Sequence, residues 1–78
     1  MKLEDLIKQT FSLEKTKKLT GKMGPGNLEG WDSLGHINLM SILESEYKIS
    51  LDISEIVSLE SISDIKKILK KKGVSDFE

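Results

Sequence analysis

The stretch that decides the fold is Trp31-Asp32-Ser33-Leu34-Gly35-His36-Ile37-Asn38-Leu39-Met40. Asp32 is of the residue type that caps helix N-termini, and the apolar pattern that follows it runs to about Lys48. On a helical wheel, the predicted core side contains Leu39, Met40, Ile42, Leu43 and Tyr47. Leu34 and Ile37 fall on the other side, beside Ser33 in the first turn. We therefore expect a helix with an apolar pair that faces outward.

Three further helices are predicted around this one. Apolar residues at three- and four-residue spacing predict a first helix over roughly residues 2–12, and a segment rich in glycine then predicts a long loop up to Trp31. A short helix is predicted over residues 54–58. A closing helix begins at Ser61, which with Asp64 approximates a capping box, and ends before Gly73. No segment has the partner that a strand requires. The sequence predicts an all-α domain with three main helices and one short helix, which is the third along the chain.

Length and composition restrict the function classes. A chain of 78 residues forms one domain, here 1–78, and we expect 74–78 to be a flexible tail. The absence of cysteine and the single histidine argue against disulfides, a thiol nucleophile and a metal site. There is no apolar run long enough to span a membrane and no secretory signal pattern. We expect a cytoplasmic monomer that does not act at a membrane.

Charge is distributed unevenly along the chain. Residues 28–64 contain eight acidic residues and one lysine, a net charge of −7, whereas the segments on either side each carry +3. A nucleic-acid binder normally has a basic stripe with arginines or stacking aromatics, and this chain has no arginine and only four aromatic residues. The pattern argues against nucleic-acid binding and indicates partners with basic surfaces.

Ser33 is the first candidate for chemistry. The start of a helix favours a phosphate through its free N–H groups and positive dipole end, which suits a phosphate-attached serine. The alternative is that Ser33 is only a polar first-turn residue. His36 lies three residues further on, but the wheel turns it toward the core and no orienting third group is evident, so a serine–histidine nucleophile is disfavoured. We expect a half-buried structural histidine, and a Trp31 side chain that folds the loop onto the helices.

The motif closely resembles that of the acyl and peptidyl carrier protein family. The family pattern is Asp-Ser-Leu, an aliphatic residue three positions later, a Leu two beyond it, and a Leu-Glu pair before an aromatic residue, matched here through Leu43-Glu44 and Tyr47. The resemblance spans nearly the whole chain. It implies a four-helix bundle with a long loop between helices one and two, and a carrier that is not itself an enzyme.

The resemblance also implies a cofactor and partners. In such carriers the serine at the position of Ser33 receives 4′-phosphopantetheine from coenzyme A through a separate phosphopantetheinyl transferase. Acyl or aminoacyl groups then ride on the arm as thioesters, and other enzymes load and remove them. The partner face that we expect on helix two consists of Asp32, Leu34, Ile37, Asn38, Ser41 and Glu44.

Some positions depart from the family pattern. Members in fatty acid synthesis usually have acids at the positions of Gly35 and Asn38, and often Met and Glu where this chain has Ser41 and Ser45. The form found here looks more like carriers in specialised pathways, such as polysaccharide modification, polyketide synthesis or aminoacyl loading, although a role in lipid or fatty acid synthesis stays open.

A second function class is a small helical protein-interaction or DNA-binding domain without a prosthetic group. In that case helix two would be the recognition helix and the long loop a spacer. Helix-turn-helix turns are short, however, and helix two contains no Lys or Arg before Lys48. The electrostatics therefore disfavour DNA binding.

Overall fold

The computed structural model describes residues 1–78 and contains four helices and no strand. The helices are α1 (Leu3–Thr10), α2 (Ser33–Tyr47), α3 (Ile53–Ser58) and α4 (Ile62–Lys71). A long irregular segment joins α1 to α2. The predicted all-α architecture, with a short third helix and a long first loop, is confirmed. None of the four helices combines the length and apolar character that crossing a bilayer requires.

A core of fifteen apolar residues receives side chains from every helix. Its most deeply buried members are Trp31, Leu3, Ile7, Leu39, Met40, Leu43, Ile65 and Leu69. Three of the five residues assigned to the core side of α2 are therefore fully buried. The other two, Ile42 and Tyr47, are half-buried at its edge, where the Tyr47 hydroxyl donates a hydrogen bond of 2.9 Å to the Met1 carbonyl. Burial raises the pKa of Tyr47, and the neighbouring Glu46 carboxylate raises it further.

The long loop is fastened to the start of α4. The N–H groups of Ile62 and Ser63, which have no partner inside the helix, donate to the carbonyls of Met23 and Gly21 at 2.8 and 2.9 Å. Gly24 passes so close to the Glu60 carbonyl that a Cβ at this position would collide with it. The loop therefore stabilises α4 directly as well as connecting α1 to α2.

Side-chain caps fix the starts of α3 and α4. At α3, the Asp52 carboxylate accepts from the Glu55 N–H at 2.8 Å and the Glu55 carboxylate accepts from the Asp52 N–H at 3.0 Å, which completes a capping box. At α4, Ser61 accepts from the Asp64 N–H at 3.2 Å, but the Asp64 carboxylate accepts from Glu60 instead. The second hydrogen bond of the capping box predicted at α4 therefore comes from the Glu60 N–H, one residue before the N-cap Ser61.

Acid is expected to weaken the α3 cap. The Glu55 N–H and then the Ser54 hydroxyl lower the pKa of Asp52 from its ordinary value of 3.8. The Asp52 N–H and then the Lys72 ammonium lower the pKa of Glu55 from 4.5. A carboxyl group with a lower pKa in the folded state stabilises the fold above its unfolded pKa, and this stabilisation disappears as pH falls through the folded pKa. Thermal melts should show Tm falling below about pH 4.5.

The matched variant for this prediction replaces both carboxylates by their amides. Asp52→Asn with Glu55→Gln retains side-chain oxygen acceptors but removes both titrations, so its Tm should fall less steeply with acid than that of the wild type. Equal acid slopes for the two proteins would show that these groups do not contribute to the pH dependence.

The C-terminus differs from the sequence-based expectation of a flexible tail at 74–78. The Phe77 side chain is only 2% exposed, and its carbonyl accepts from the Leu3 N–H at 2.7 Å. Lys66 and Glu78 form an ion pair at 3.6 Å. Gly73, with φ of 87°, ends α4 and redirects the chain so that it packs back against α1. A single aromatic residue after a turn carries no periodicity, which is why the sequence did not reveal this packing.

Candidate attachment site and partner face

The N-terminus of α2 is formed by local hydrogen bonds. The Asp32 carboxylate accepts from the Gly35 N–H at 2.8 Å, and the Asp32 carbonyl accepts from the His36 N–H at 2.8 Å. Asp32 is therefore the N-cap, as predicted, and Ser33 is the first residue of the helix. Ser33 is exposed, so its hydroxyl can be reached by a second protein.

The surroundings of Ser33 fit a phosphate joined to its side chain. The first turn of a helix presents N–H groups without helical partners and the positive end of the dipole, both of which favour an anion. The Asp32 carboxylate is held by the Gly35 N–H, which fixes the turn on which Ser33 lies. These features suit a covalently attached phosphodiester.

Beyond Ser33, α2 presents an apolar surface to solvent. Leu34 is 78% exposed and Ile37 is 53% exposed, which confirms the outward orientation predicted from the wheel. Both residues line a shallow open groove together with Gly35, Asn38 and Ser41. Four of the six residues expected on the partner face thus share one surface next to Ser33. Their role as partner contacts stays a prediction.

The acidic residues of the middle segment are mostly engaged within the chain. Glu44, a predicted partner residue, accepts from the Leu51 N–H at 2.9 Å, and Glu46 pairs with the N-terminal ammonium at 2.9 Å. Six of the eight acids make such hydrogen bonds or ion pairs: Asp32, Glu44, Glu46, Asp52, Glu55 and Asp64. A carboxylate that accepts from an N–H keeps its negative charge, so only the ion pairs of Glu46 and Glu55 reduce the net charge of this segment, while Asp32 and Glu44 each have a structural role as well.

His36 holds α2 against α3. The Trp31 Nε1–H donates to His36 Nδ1 at 3.0 Å, which leaves Nε2 as the protonated nitrogen that donates to the Ile56 carbonyl at 2.8 Å. His36 is 9% exposed, more deeply buried than the half-buried position expected. Because both ring nitrogens are occupied, neither can act as a base toward Ser33. This geometry supports the structural interpretation of His36.

Gly35 has a packing reason to be glycine. A Cβ at this position would collide with the Gly30 carbonyl oxygen and would lie 3.0 Å from the Phe11 ring. The loop that carries Trp31 therefore lies directly against the first turn of α2. An acidic side chain cannot occupy position 35 unless this loop moves, which accounts for one departure from the usual family pattern.

Sequence reasoning missed a second exposed apolar pair. Ile53 and Val57 on α3 are 73% and 67% exposed, while Ile56 between them is buried. The sequence did contain a signal for this pair. Ile53 and Val57 follow the N-cap Asp52 and are four residues apart, so they share one face of the helix. The sequence predicted the short helix but not that Ile53 and Val57 are its exposed apolar residues.

Comparison with known proteins found a solved structure that resembles this chain. The holo acyl carrier protein from Geobacter metallireducens is similar with a TM-score of 0.80 and 31% sequence identity, over 90% of this chain and 79% of that chain. No protein-family model matches the sequence, and no curated protein matches it. The similarity therefore covers most of both chains in fold and is accompanied by 31% sequence identity.

Proposed function

The chain belongs to the acyl carrier protein family, and we propose that the hydroxyl of Ser33 is the attachment point of its 4′-phosphopantetheine arm. A carrier protein of this kind is not an enzyme. When bound, the arm supplies a terminal thiol that holds acyl or aminoacyl groups as thioesters. The observation that carries the proposal is the exposed Ser33 at the capped N-terminus of α2.

The chain's own residues have distinct roles in this proposal. Ser33 Oγ would lose its proton and form the bond to the phosphorus that carries pantetheine, while the diphosphate P–O bond of coenzyme A breaks and 3′,5′-ADP leaves; a separate phosphopantetheinyl transferase would catalyse this step. Asp32 fixes the turn, and the helix N-terminus stabilises the phosphodiester charge. The similar solved structure is described as a holo acyl carrier protein, which supports the presence of a prosthetic group.

Partner enzymes would bind the outer face of α2. Leu34 and Ile37 would supply the apolar contact and Asn38 and Ser41 its polar border, with Glu44 further along the same helix. The transferase and the enzymes that load and remove acyl or aminoacyl groups would share this face, in a cytoplasmic pathway of lipid, polyketide or polysaccharide modification. A DNA-binding domain is not favoured, because the exposed part of α2 has no basic residue.

The proposal is tested by the intact mass of the protein after incubation with coenzyme A and a broad-specificity phosphopantetheinyl transferase. The expected result is the addition of one phosphopantetheine per chain. A well-folded protein that gains no mass, while a known carrier in the same reaction mixture is fully modified, would contradict the proposal.

Charge at Asn38 is expected to control the encounter with basic partners. Asn38→Glu adds an exposed acid to the outer face of α2, where it attracts a basic surface over about a Debye length of 8 Å at physiological salt. At low ionic strength the transferase kcat/KM should rise roughly two- to fivefold, and its decline with salt should become steeper. The measurement is kcat/KM across a salt series.

Two variants serve as controls for the position of the charge. Gln9→Glu adds the same charge at an exposed site on α1 and should leave the salt slope close to that of the wild type. Glu44→Gln removes a charge but keeps an oxygen that can accept from Leu51, so its slope should become shallower. If Gln9→Glu steepens the slope as much as Asn38→Glu does, net charge matters and the α2 face does not.

A further inference from the structure

The outward side of α4 carries exposed lysines. The helix turns Ile65 and Leu69 into the core, whereas Lys67, Lys70 and Lys71 are exposed to solvent. Lys70 and Lys71 lie in the last turn, where a positive charge stabilises the helix dipole. Lys67 lies before that turn, so the dipole does not account for all three lysines.

The long loop brings a fourth lysine to the same side of α4. The Gly21 carbonyl accepts from the Ser63 N–H at 2.9 Å, which places the next residue, Lys22, beside the first turn of the helix. Lys22 is exposed. Ser63 precedes Lys67 by four residues and therefore shares a face of the helix with it. We use the name basic face for the surface formed by Lys22, Lys67, Lys70 and Lys71.

The charge of the basic face is not cancelled within the chain. None of its four lysines forms an ion pair, whereas Lys66 and Lys72 on the same stretch pair with carboxylates at 3.6 and 3.0 Å. The acid in α4 is Asp64, whose carboxylate accepts from the Glu60 N–H at 3.0 Å. The basic face thus presents four free positive charges to solvent.

Acids on the outward side of α2 screen this face only weakly. Both helices turn their buried sides to the same core, so their outward sides are separated by the thickness of the bundle. The molecule measures 28 × 25 × 20 Å. At physiological salt, exposed charges further apart than a Debye length of about 8 Å are largely screened from each other. The two sides therefore act as separate electrostatic surfaces.

The composition of the basic face fits an anionic lipid surface better than an acidic protein. Protein interfaces have an apolar or aromatic centre and few lysines, and carboxylates are best held by the forked guanidinium of arginine, which this chain lacks. Lysines without an apolar centre instead give the diffuse attraction that holds polybasic segments at anionic lipids. The large apolar residues that the chain exposes all lie outside the basic face: Met1, Leu34, Ile37, Ile53 and Val57.

We propose that the basic face binds the surface of a membrane that contains anionic lipids, with the outward side of α2 directed away from the lipid. Each lysine near such a surface contributes about fivefold to the partition coefficient, so the binding is weak and reversible. Surface attachment needs no spanning helix. The proposal therefore departs from the expectation, drawn from the lack of a spanning segment, that the chain does not act at a membrane. It does not depend on the attachment at Ser33.

The test is co-sedimentation of the full chain with sucrose-loaded vesicles at low ionic strength. Vesicles of phosphatidylglycerol and phosphatidylcholine in equal parts should bind the wild type, vesicles of phosphatidylcholine alone should not, and added salt should release the bound protein. Equal binding to both vesicles, or binding that salt does not weaken, overturns the proposal. Retention on immobilised polyglutamate without binding to vesicles also overturns it, because the partner is then an acidic protein surface.

Lys67→Gln with Lys70→Gln tests the position of the charges. This double variant should lower the partition coefficient roughly twentyfold. The matched control is Lys15→Gln with Lys48→Gln, which removes the same charge from exposed lysines outside the basic face and should lower it less than about twofold. All four side chains are exposed, so thermal melts should show that both variants fold. Equal losses of binding overturn the proposal, because net charge alone then determines the binding.

The orientation of the bound protein is measured separately and decides the question if the double variant does not fold. The chain has no cysteine, so one introduced cysteine can carry a fluorophore at Lys71→Cys on the basic face or at Ser41→Cys on α2. Lipids with a nitroxide in the headgroup should quench the fluorophore at position 71 and leave the one at position 41 unchanged. Equal quenching at both positions, or stronger quenching at position 41, overturns the proposal.

Discussion

Ser33→Ala is expected to take up no phosphopantetheine under conditions that fully modify the wild type. The substitution removes the hydroxyl that forms the phosphodiester bond, and no nearby residue can replace it, since the chain has no cysteine and both His36 nitrogens are hydrogen-bonded. The measurement is intact mass over the full time course of the wild-type reaction, followed by peptide mapping of any modified product.

The fold should survive this substitution. Ser33 is exposed, and the cap of α2 is supplied by Asp32 through the Gly35 N–H, so alanine at position 33 removes no hydrogen bond on which the helix start depends. The free energy of unfolding should change by less than about 0.5 kcal/mol. A large loss of stability would mean that the missing modification reflects unfolding.

Ser41→Ala is the matched control. Ser41 is also exposed on α2 and lines the groove beside Ser33, but it lies two helical turns further from the N-terminus, where the positive dipole end no longer acts. This variant should be modified to completion. Modification of Ser33→Ala at any other serine would contradict the assignment of the attachment site.

The start of α2 could be predicted from sequence because its determinants are local. Asp32 caps the N–H of a residue three positions away, and the outward positions of Leu34 and Ile37 follow from helical periodicity alone. Ser33 is identified by its place in the same motif. The residues that matter most for the proposed function therefore lie within a single turn and a half of helix.

Features that depend on contacts distant in sequence could not be predicted. His36 bonds to Ile56 twenty residues away, and Phe77 pairs with Leu3 at the other end of the chain. The chemistry of each side chain permits many partners, and only the packed fold selects one. The partner of Glu44, the Leu51 N–H, is hidden in the same way. Counting charges along the sequence likewise could not show that Glu46 and Glu55 form ion pairs within the chain.

Leu43→Ala and Leu34→Ala are expected to have opposite effects on stability and recognition. Leu43 is 0% exposed, so its truncation leaves a cavity in the core and should lower the free energy of unfolding by about 2 to 5 kcal/mol. Leu34 is 78% exposed, so its truncation should change stability by less than about 0.5 kcal/mol. An apolar contact at the centre of an interface is worth enough that Leu34→Ala should lower the transferase kcat/KM roughly tenfold.

The comparison requires thermal melts and kcat/KM for both variants, with kcat/KM measured at a temperature where Leu43→Ala is still folded. Folded Leu43→Ala should be modified at close to the wild-type rate, because its outer face is unchanged. Ile37→Ala and Leu39→Ala provide a second pair, 53% and 0% exposed, for which the same opposite effects on stability and recognition are expected.

If Leu34→Ala destabilises as much as Leu43→Ala, the Leu34 side chain is packed within the bundle. If Leu34→Ala and Ile37→Ala retain full stability and full rate, the outer face of α2 does not recognise the transferase. The exposed pair Ile53 and Val57 on α3 then becomes the surface to mutate.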